Sequence, residues 1–196
     1  MEEAGKKVYV EPEALASLAA YFAVSPGKIV GALKAMGHRV VLWSPLSMVN
    51  ADGKRIIPLS MAERKLLEEE LPSLAHEATD VPEPPSDGII ITSCLARKED
   101  REYVFTAKEL SDLFKTYGID LELQEEAEVD LKLLPRKRYR HAVGLEDLRR
   151  MSKEEGEPIV FYSCPFKCLL NGGQPFPRRS LDEELEARRK AVSELL

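Results

Sequence analysis

The chain alternates short apolar runs with segments of helical period, and that alternation limits it to an α/β architecture of alternating strands and helices. Lys7 to Val10, Arg39 to Trp43, Gly88 to Ser93 and Pro158 to Ser163 read as strands. The last two each deliver a cysteine at their carboxyl ends, Cys94 and Cys164. Sites in α/β folds collect just beyond the carboxyl ends of strands, so both cysteines stand where function is expected.

The helices between these strands carry recognisable start and stop signals. A mostly apolar helix is expected from about Pro12 to Phe22, and Ser25-Pro26 opens a second with Ile29, Val30 and Leu33 on one face, stopped by Gly37. Ser60-Met61-Ala62-Glu63 has capping-box spacing ahead of Leu66, Leu67 and Leu71, and Pro72 ends that helix. Thr106-x-x-Glu109 repeats the spacing before Leu110, Leu113, Phe114 and Tyr117, with Gly118 closing the helix. Residues 119–143 read as irregular, leading to a helix from Leu145. Ser180-x-x-Glu183 caps a terminal helix expected to turn Leu181, Leu185, Val192 and Leu195 inward. The pattern predicts one minimal domain over 1–196, or two small lobes, 1–80 and 87–196, joined by a stiff Pro-rich linker at 81–86.

With 44% hydrophobic residues the chain can bury a core of ordinary size. Its formal charge of −6 argues against nucleic acid as a partner, since phosphate binding calls for a basic surface. The exception is a basic run, Arg136, Lys137, Arg138 and Arg140 beside His141, which reads as a solvated turn or as a dock for an acidic electron carrier. The apolar stretches are far shorter than the roughly 20 residues that span a bilayer, and Met-Glu-Glu-Ala does not resemble a signal peptide, so no membrane insertion and a cytoplasmic location are expected. Two Asn and two Gln beside 32% charged residues suggest a thermophile. Three cysteines in such a chain point to a metal, catalysis or burial rather than to disulfides.

The segment from Ser163 to Pro175 narrows those choices. Cys164 and Cys168, three residues apart, can reach neighbouring irons of one cubane if the backbone between them makes a single turn, and Gly172 and Gly173 let the chain wrap a cluster closely. Spacing alone leaves two rivals. The cysteines are small buried hydrophobes, or Cys94, Cys164, Cys168 and one of His38, His76 or His141 form a Cys3His zinc site.

Cys164, Pro165, Cys168, Gly172, Gly173, Gln174 and Pro175 match, in register, the hydrogen-cluster motif of iron-iron hydrogenases, roughly M-A-C-P-G-G-C-x-x-G-G-G-Q-P. Ser93 to Asp100 resembles that family's M-P-C-T-A-K-K-F-E, Tyr103 to Asp120 resembles its V-L-T-T-R-E-L helix, and His141 to Leu148 echoes V-x-x-G-L-x-N-A. The likeness runs with gaps from about Val8 to the terminal helix. It implies a reduced version of the hydrogenase catalytic domain in which Cys94, Cys164 and Cys168 hold a 4Fe-4S cluster, with Cys168 bridging to a two-iron subcluster bearing CO, cyanide and a dithiolate. Gly172, Gly173 and Gln174 would line that cofactor. Arg97 falls on the family's lysine that donates to a cyanide ligand, and Lys98 is its neighbour.

The likeness breaks at the family's T-S-C-C-P motif, whose two cysteines fall on Leu59 and Ser60. Ser60 is the candidate fourth ligand, or simply the cap of its helix, while leucine at 59 removes the titratable group that relays protons in the family. On this resemblance a segment of the family's domain between Gly118 and the last strand has no counterpart, and the family's ferredoxin-like modules are expected to be absent. The resemblance therefore implies an external, ferredoxin-like electron carrier or other hydrogenase subunits, and maturation proteins if the two-iron unit is inserted. The expected function is a minimal hydrogenase or hydrogenase subunit. The alternatives are a non-catalytic iron-sulfur sensor, electron-transfer protein or scaffold, or a cubane with one iron open to a ligand.

Overall fold

The computed structural model describes residues 5–49, 53–98, 101–162, 173–176 and 179–195. The chain is α/β throughout and divides into two compact units, neither continuous in sequence. The first comprises Met1–Ser44, Pro85–Leu133 and Cys168–Leu196, and the second Pro45–Pro84 and Leu134–Lys167. The chain thus passes between units several times, and one of the crossings falls in the Pro-rich stretch at 81–86.

The first unit is built on a five-stranded sheet: β1 (Lys7–Val10), β2 (Arg39–Trp43), β4 (Gly88–Thr92), β5 (Val104–Thr106) and β6 (Leu131–Leu133), in spatial order β5-β4-β1-β2-β6. Every pairing is parallel, with Val8 opposite both Val40 and Ile89. From β1 the chain moves outward to β2 on one side, and β4 returns to the other side of β1 and moves outward to β5. The β1/β4 boundary is therefore a topological switch point, where the connections diverge and leave a crevice beyond the strand ends. Tyr9, Val41, Trp43, Ile90 and Val104 pack on one face of the sheet, with the Tyr9 and Trp43 rings edge to face at 6.5 Å. Val8, Val10, Val40 and Leu42, the alternate residues, are buried too, which explains the nearly continuous apolar runs.

The helices of this unit are α1 (Pro12–Phe22), α2 (Pro26–Ala35), α5 (Leu95–Lys98), α6 (Ala107–Thr116) and α8 (Leu181–Leu195). Both capping residues of α6 act as their spacing predicts: Thr106 accepts from the Glu109 amide and Glu109 accepts from the Thr106 amide. The buried stripe of α6 is narrower than expected. Leu110 and Phe114 are buried, whereas Leu113 lies on the rim and Tyr117 is 71% exposed, because the helix ends before the last turn is covered. The terminal helix departs further: its buried positions are Glu184, Arg188, Ala191 and Leu195, and Leu185 and Val192 are only partly covered. A buried ion pair, Arg188 Nε to Glu184 Oε1 at 2.8 Å, thus occupies the face where leucine and valine were expected.

The second unit holds a three-stranded parallel sheet, β3 (Ile56–Pro58), β8 (Ile159–Tyr162) and β7 (Arg140–Val143), in the order β3-β8-β7. Its helices are α3 (Met61–Glu70), α4 (Pro72–Ala75) and α7 (Gly144–Met151). Ile56, Ile159 and Phe161 pack with Leu67, Leu71 and Leu148, and alternate residues Ile57 and Val160 pack with Leu59. Strands β3, β5, β6 and β7 were not foreseen. At three residues each β3, β5 and β6 are too short to show a period, and β6 and β7 fall in the stretch read as irregular. Among the described residues no single helix is long and apolar enough to cross a membrane; α1 and α2 pass such a test only as a pair bent by 99°.

Candidate functional site

The β1/β4 switch point carries a connected set of polar groups. β1 ends at Val10, and Glu11, the next residue, sits at the N-cap of α1 with its side chain only 1% exposed. Its Oε1 accepts from Arg97 Nη1 at 2.6 Å. Its Oε2 accepts from Thr92 Oγ1 at 3.0 Å and from the Ser93 amide at 3.4 Å. Thr92 Oγ1 in turn accepts from the Cys94 amide at 3.1 Å, and the Cys94 carbonyl accepts from the Arg97 amide at 3.1 Å, closing the turn into α5. The half-buried Cys94 thus leaves the end of β4 on a backbone tied to Glu11 directly and through Thr92.

The Arg97 charge is met first of all by Glu11. Burial works against the Arg97 guanidinium, but Glu11, and behind it Cys94 and Glu13, outweigh that penalty and hold its pKa above the usual arginine value. Arg97 therefore stays a fixed cation coupled to the Cys94 thiol. Thiolate is the form of cysteine that binds metal, and a neighbouring cation favours it. Lys98, the other basic candidate, turns away and pairs with Glu109 at the start of α6.

The glycine loop returns to the same turn. A Cβ placed on Gly173 would lie 2.5 Å from the Ser93 carbonyl oxygen and 3.3 Å from the Leu95 amide nitrogen, so the backbones meet closely on either side of Cys94. The Gly173 carbonyl accepts from the Lys108 amide at 3.0 Å, which occupies one of the amides left open in the first turn of α6. Gln174 follows, buried, and its Oε1 has no hydrogen-bond partner among the described residues. The structure therefore brings Cys94, Arg97, Gly173 and Gln174 into the first unit, with Gly173 seated on the Cys94 turn.

The remaining candidates are placed differently. Ser60 belongs to the second unit, where its hydroxyl accepts from the Glu63 amide at 3.3 Å as the cap of α3. Glu63 Oε2 accepts from the Leu59 amide at 2.9 Å, so the reciprocal bond of the capping box falls one residue earlier than expected. Leu59 is buried among Ile57, Val160, Tyr139 and Tyr162. His141 stacks on Tyr162 at 5.7 Å, and Tyr162 Oη lies 3.1 Å from its Nδ1; burial lowers its pKa. Cys164, Cys168 and Gly172 lie outside the described residues. Among the described residues no group of three or more His, Cys, Asp or Glu side chains converges to hold a metal.

With parallel strands, a cysteine at the switch point and Gly173 against its turn, the chain has the fold of the hydrogen-cluster domain of FeFe-hydrogenases. Among solved structures it is similar to that of HydA(deltaEFG), which revealed stepwise H-cluster assembly (TM-score 0.65, 15% identity, covering 97% of this chain and 84% of that one). It is similar also to a variant of the FeFe-hydrogenase HydA1 from Chlamydomonas reinhardtii (TM-score 0.65, 15% identity, covering 95% and 83%). A third counterpart is a structure of FeFe-hydrogenase oxygen inactivation, initiated by modification and degradation of the H cluster 2Fe subcluster (TM-score 0.64, 14% identity, covering 95% and 83%). No family model matches the sequence, and no curated protein does. At this identity the likeness establishes the fold.

The described residues fit an anionic cluster in their chemistry. Arg97 Nε, a cationic donor, is buried without a hydrogen-bond partner among the described residues, and Gly173 lets its backbone lie against Ser93 and Leu95 on either side of Cys94. Of the residues singled out from the sequence, Cys94, Arg97, Gly173 and Gln174 lie in this unit, while Glu11 and Thr92, which bond to the Cys94 turn, were not among them. A glutamate just before the first turn of a helix reads as a favourable charge near its amino end, and only the β1/β4 pairing shows that it faces the Cys94 turn.

Proposed function

We propose that this chain is an iron-sulfur oxidoreductase of the FeFe-hydrogenase lineage, a minimal hydrogenase or hydrogenase subunit. Cys94, Cys164 and Cys168 would hold a 4Fe-4S cluster, with Gly172, Gly173 and Gln174 along its loop and Arg97 as the nearby cation. The observation that carries this reading is the seating of Gly173 against the Cys94 turn, with Arg97 held beside that turn by Glu11. A cluster of this kind supplies one-electron chemistry, and a two-iron unit bridged through Cys168 would add the interconversion of protons, electrons and dihydrogen. An external ferredoxin-like carrier or other subunits would deliver the electrons, and maturation proteins would insert the two-iron unit.

A second reading, a non-catalytic redox sensor, electron-transfer protein or scaffold, is favoured by Leu59 and Ser60. Leu59 is buried among apolar and aromatic side chains and has no proton to relay, and the Ser60 hydroxyl is engaged as a helix cap.

Iron and acid-labile sulfide analysis of anaerobically prepared protein, with infrared spectra of the same sample, tests both. Stoichiometric iron and sulfide, lost in Cys94→Ala, are expected under either reading. Infrared bands of CO and cyanide, with hydrogen evolution from dithionite-reduced protein, select the hydrogenase. A protein that takes up no iron and sulfide after anaerobic reconstitution sinks the cluster assignment altogether.

A further inference from the structure

A buried carboxylate with both oxygens engaged, Glu11, has no role in the proposed function. We propose that Glu11 is a positioning residue for Cys94: its carboxylate fixes the Cys94 turn through Thr92 and neutralises Arg97, so that guanidinium and thiol are presented together with little net charge.

Three observations support this. Glu11 is 1% exposed, yet both carboxylate oxygens are engaged, Oε1 by Arg97 and Oε2 by Thr92 and the Ser93 amide. The Thr92 hydroxyl relays the constraint, donating to Glu11 while accepting from the Cys94 amide. The Glu11 backbone is itself anchored, its amide donating to the Ile91 carbonyl at 3.0 Å and its carbonyl accepting from the Leu15 amide at 3.0 Å. The carboxylate therefore has a fixed origin at the end of β1, and it holds the end of β4 and the start of α5 against it. A partly buried cation is held in place by its partner, so removing Glu11 would release Arg97 as well as the turn.

The test has two arms, and only the second rests on the cluster reading. In metal-free protein, hydrogen exchange of the amides of residues 93–97 is compared in wild type, Glu11→Gln and Thr92→Val. Glu11→Gln keeps the shape and removes the charge, and Thr92→Val removes the relay. At least tenfold faster exchange at these amides in both variants is expected. Rates within twofold of wild type in either folded variant overturn the proposal. If Glu11→Gln does not fold, the Thr92→Val result decides.

In protein loaded with iron and sulfide, the midpoint potential of the cluster is read by redox titration. Loss of a negative charge eases reduction and loss of a positive charge hinders it, so the midpoint should move up in Glu11→Gln and down in Arg97→Gln. Shifts of the same sign in both variants indicate simple loosening and overturn the charge-matching role. Failure to bind iron defeats the cluster reading alone and leaves the exchange arm to decide on Glu11.

Discussion

Glycine at 173 is a steric requirement rather than a matter of backbone freedom, because the space a methyl group would fill is occupied by the Ser93 carbonyl 2.5 Å away. Backbone cannot swing aside as a side chain can. Gly173→Ala is expected to destabilise the first unit by about 1–3 kcal/mol, the usual cost of overpacking, measured as a lower urea midpoint, and to lower iron uptake. A variant as stable as wild type would mean that Gly173 does not rest on the Cys94 turn. Leu59 presents the opposite case, a buried side chain where the resemblance expects a reactive one. Leu59→Ala should cost about 2–5 kcal/mol by chemical denaturation, as for other large-to-small core changes. Both positions were legible in the sequence, the glycine from its motif and the leucine from its departure from one. Glu11 was not, since its partners lie 81 to 86 residues away on another strand and helix.

At the scale of elements, boundaries governed by local chemistry were readable and faces governed by packing were not. Thr106 and Glu109 announce α6 by spacing alone, and the reciprocal bonds are present. Thr106→Ala should cost about 1 kcal/mol, within the usual 0.5–2 for a lost cap, visible as a lowered thermal midpoint. Helix α8 was misread because Glu184 and Arg188, four residues apart, look like an ordinary surface pair. In the fold they face inward, where Ala191 packs with Ala16 and Ala19 of α1 and Arg179 lies 3.6 Å from Glu184. Arg179 Nη2 also donates to the Ala20 carbonyl at 2.6 Å, near the end of α1. Glu184→Leu alone strands a buried guanidinium and should cost about 3–5 kcal/mol, whereas adding Arg188→Met should recover most of that loss. A double variant no more stable than the single one would show that the pair is not coupled.

For the whole molecule, the alternation of strands and helices was enough to give α/β architecture, but not two sheets, because β3, β5 and β6 have only three residues each and β7 lies in a stretch without a readable period. Stability against pH integrates over all of these elements, and its limbs follow from the signs of the individual shifts. Burial works against the charged forms of Asp130 and Glu109, yet Lys34 and the Val40 amide for the first, and Lys98 and Thr106 for the second, leave both carboxyls below their usual values of 3.8 and 4.5. A carboxyl depressed in the folded state contributes stability that is complete above its unfolded pKa and is lost as pH falls through the folded one. The acid limb should therefore begin near 4.5 and continue below 3.8. Burial depresses His141 from 6.5, so the unfolded chain takes up that proton first and a shallow loss precedes the steep one. On the alkaline side burial and the Asp87 bond raise Tyr9 from 10.0, and Asp87 raises Lys7 from 10.5. Both protons are held more tightly by the folded chain, so stability is complete below those values and falls above them. Urea midpoints across pH should show a plateau between these limbs. Asp130→Asn should make the acid limb shallower, and Asp87→Asn the alkaline one. Because Lys7 and Asp87 are exposed, the alkaline effect should also fade with added salt, whereas the effect of the buried Glu184 pair should not. A midpoint constant from neutral pH to below 3.8 would contradict the assignment of these carboxylates.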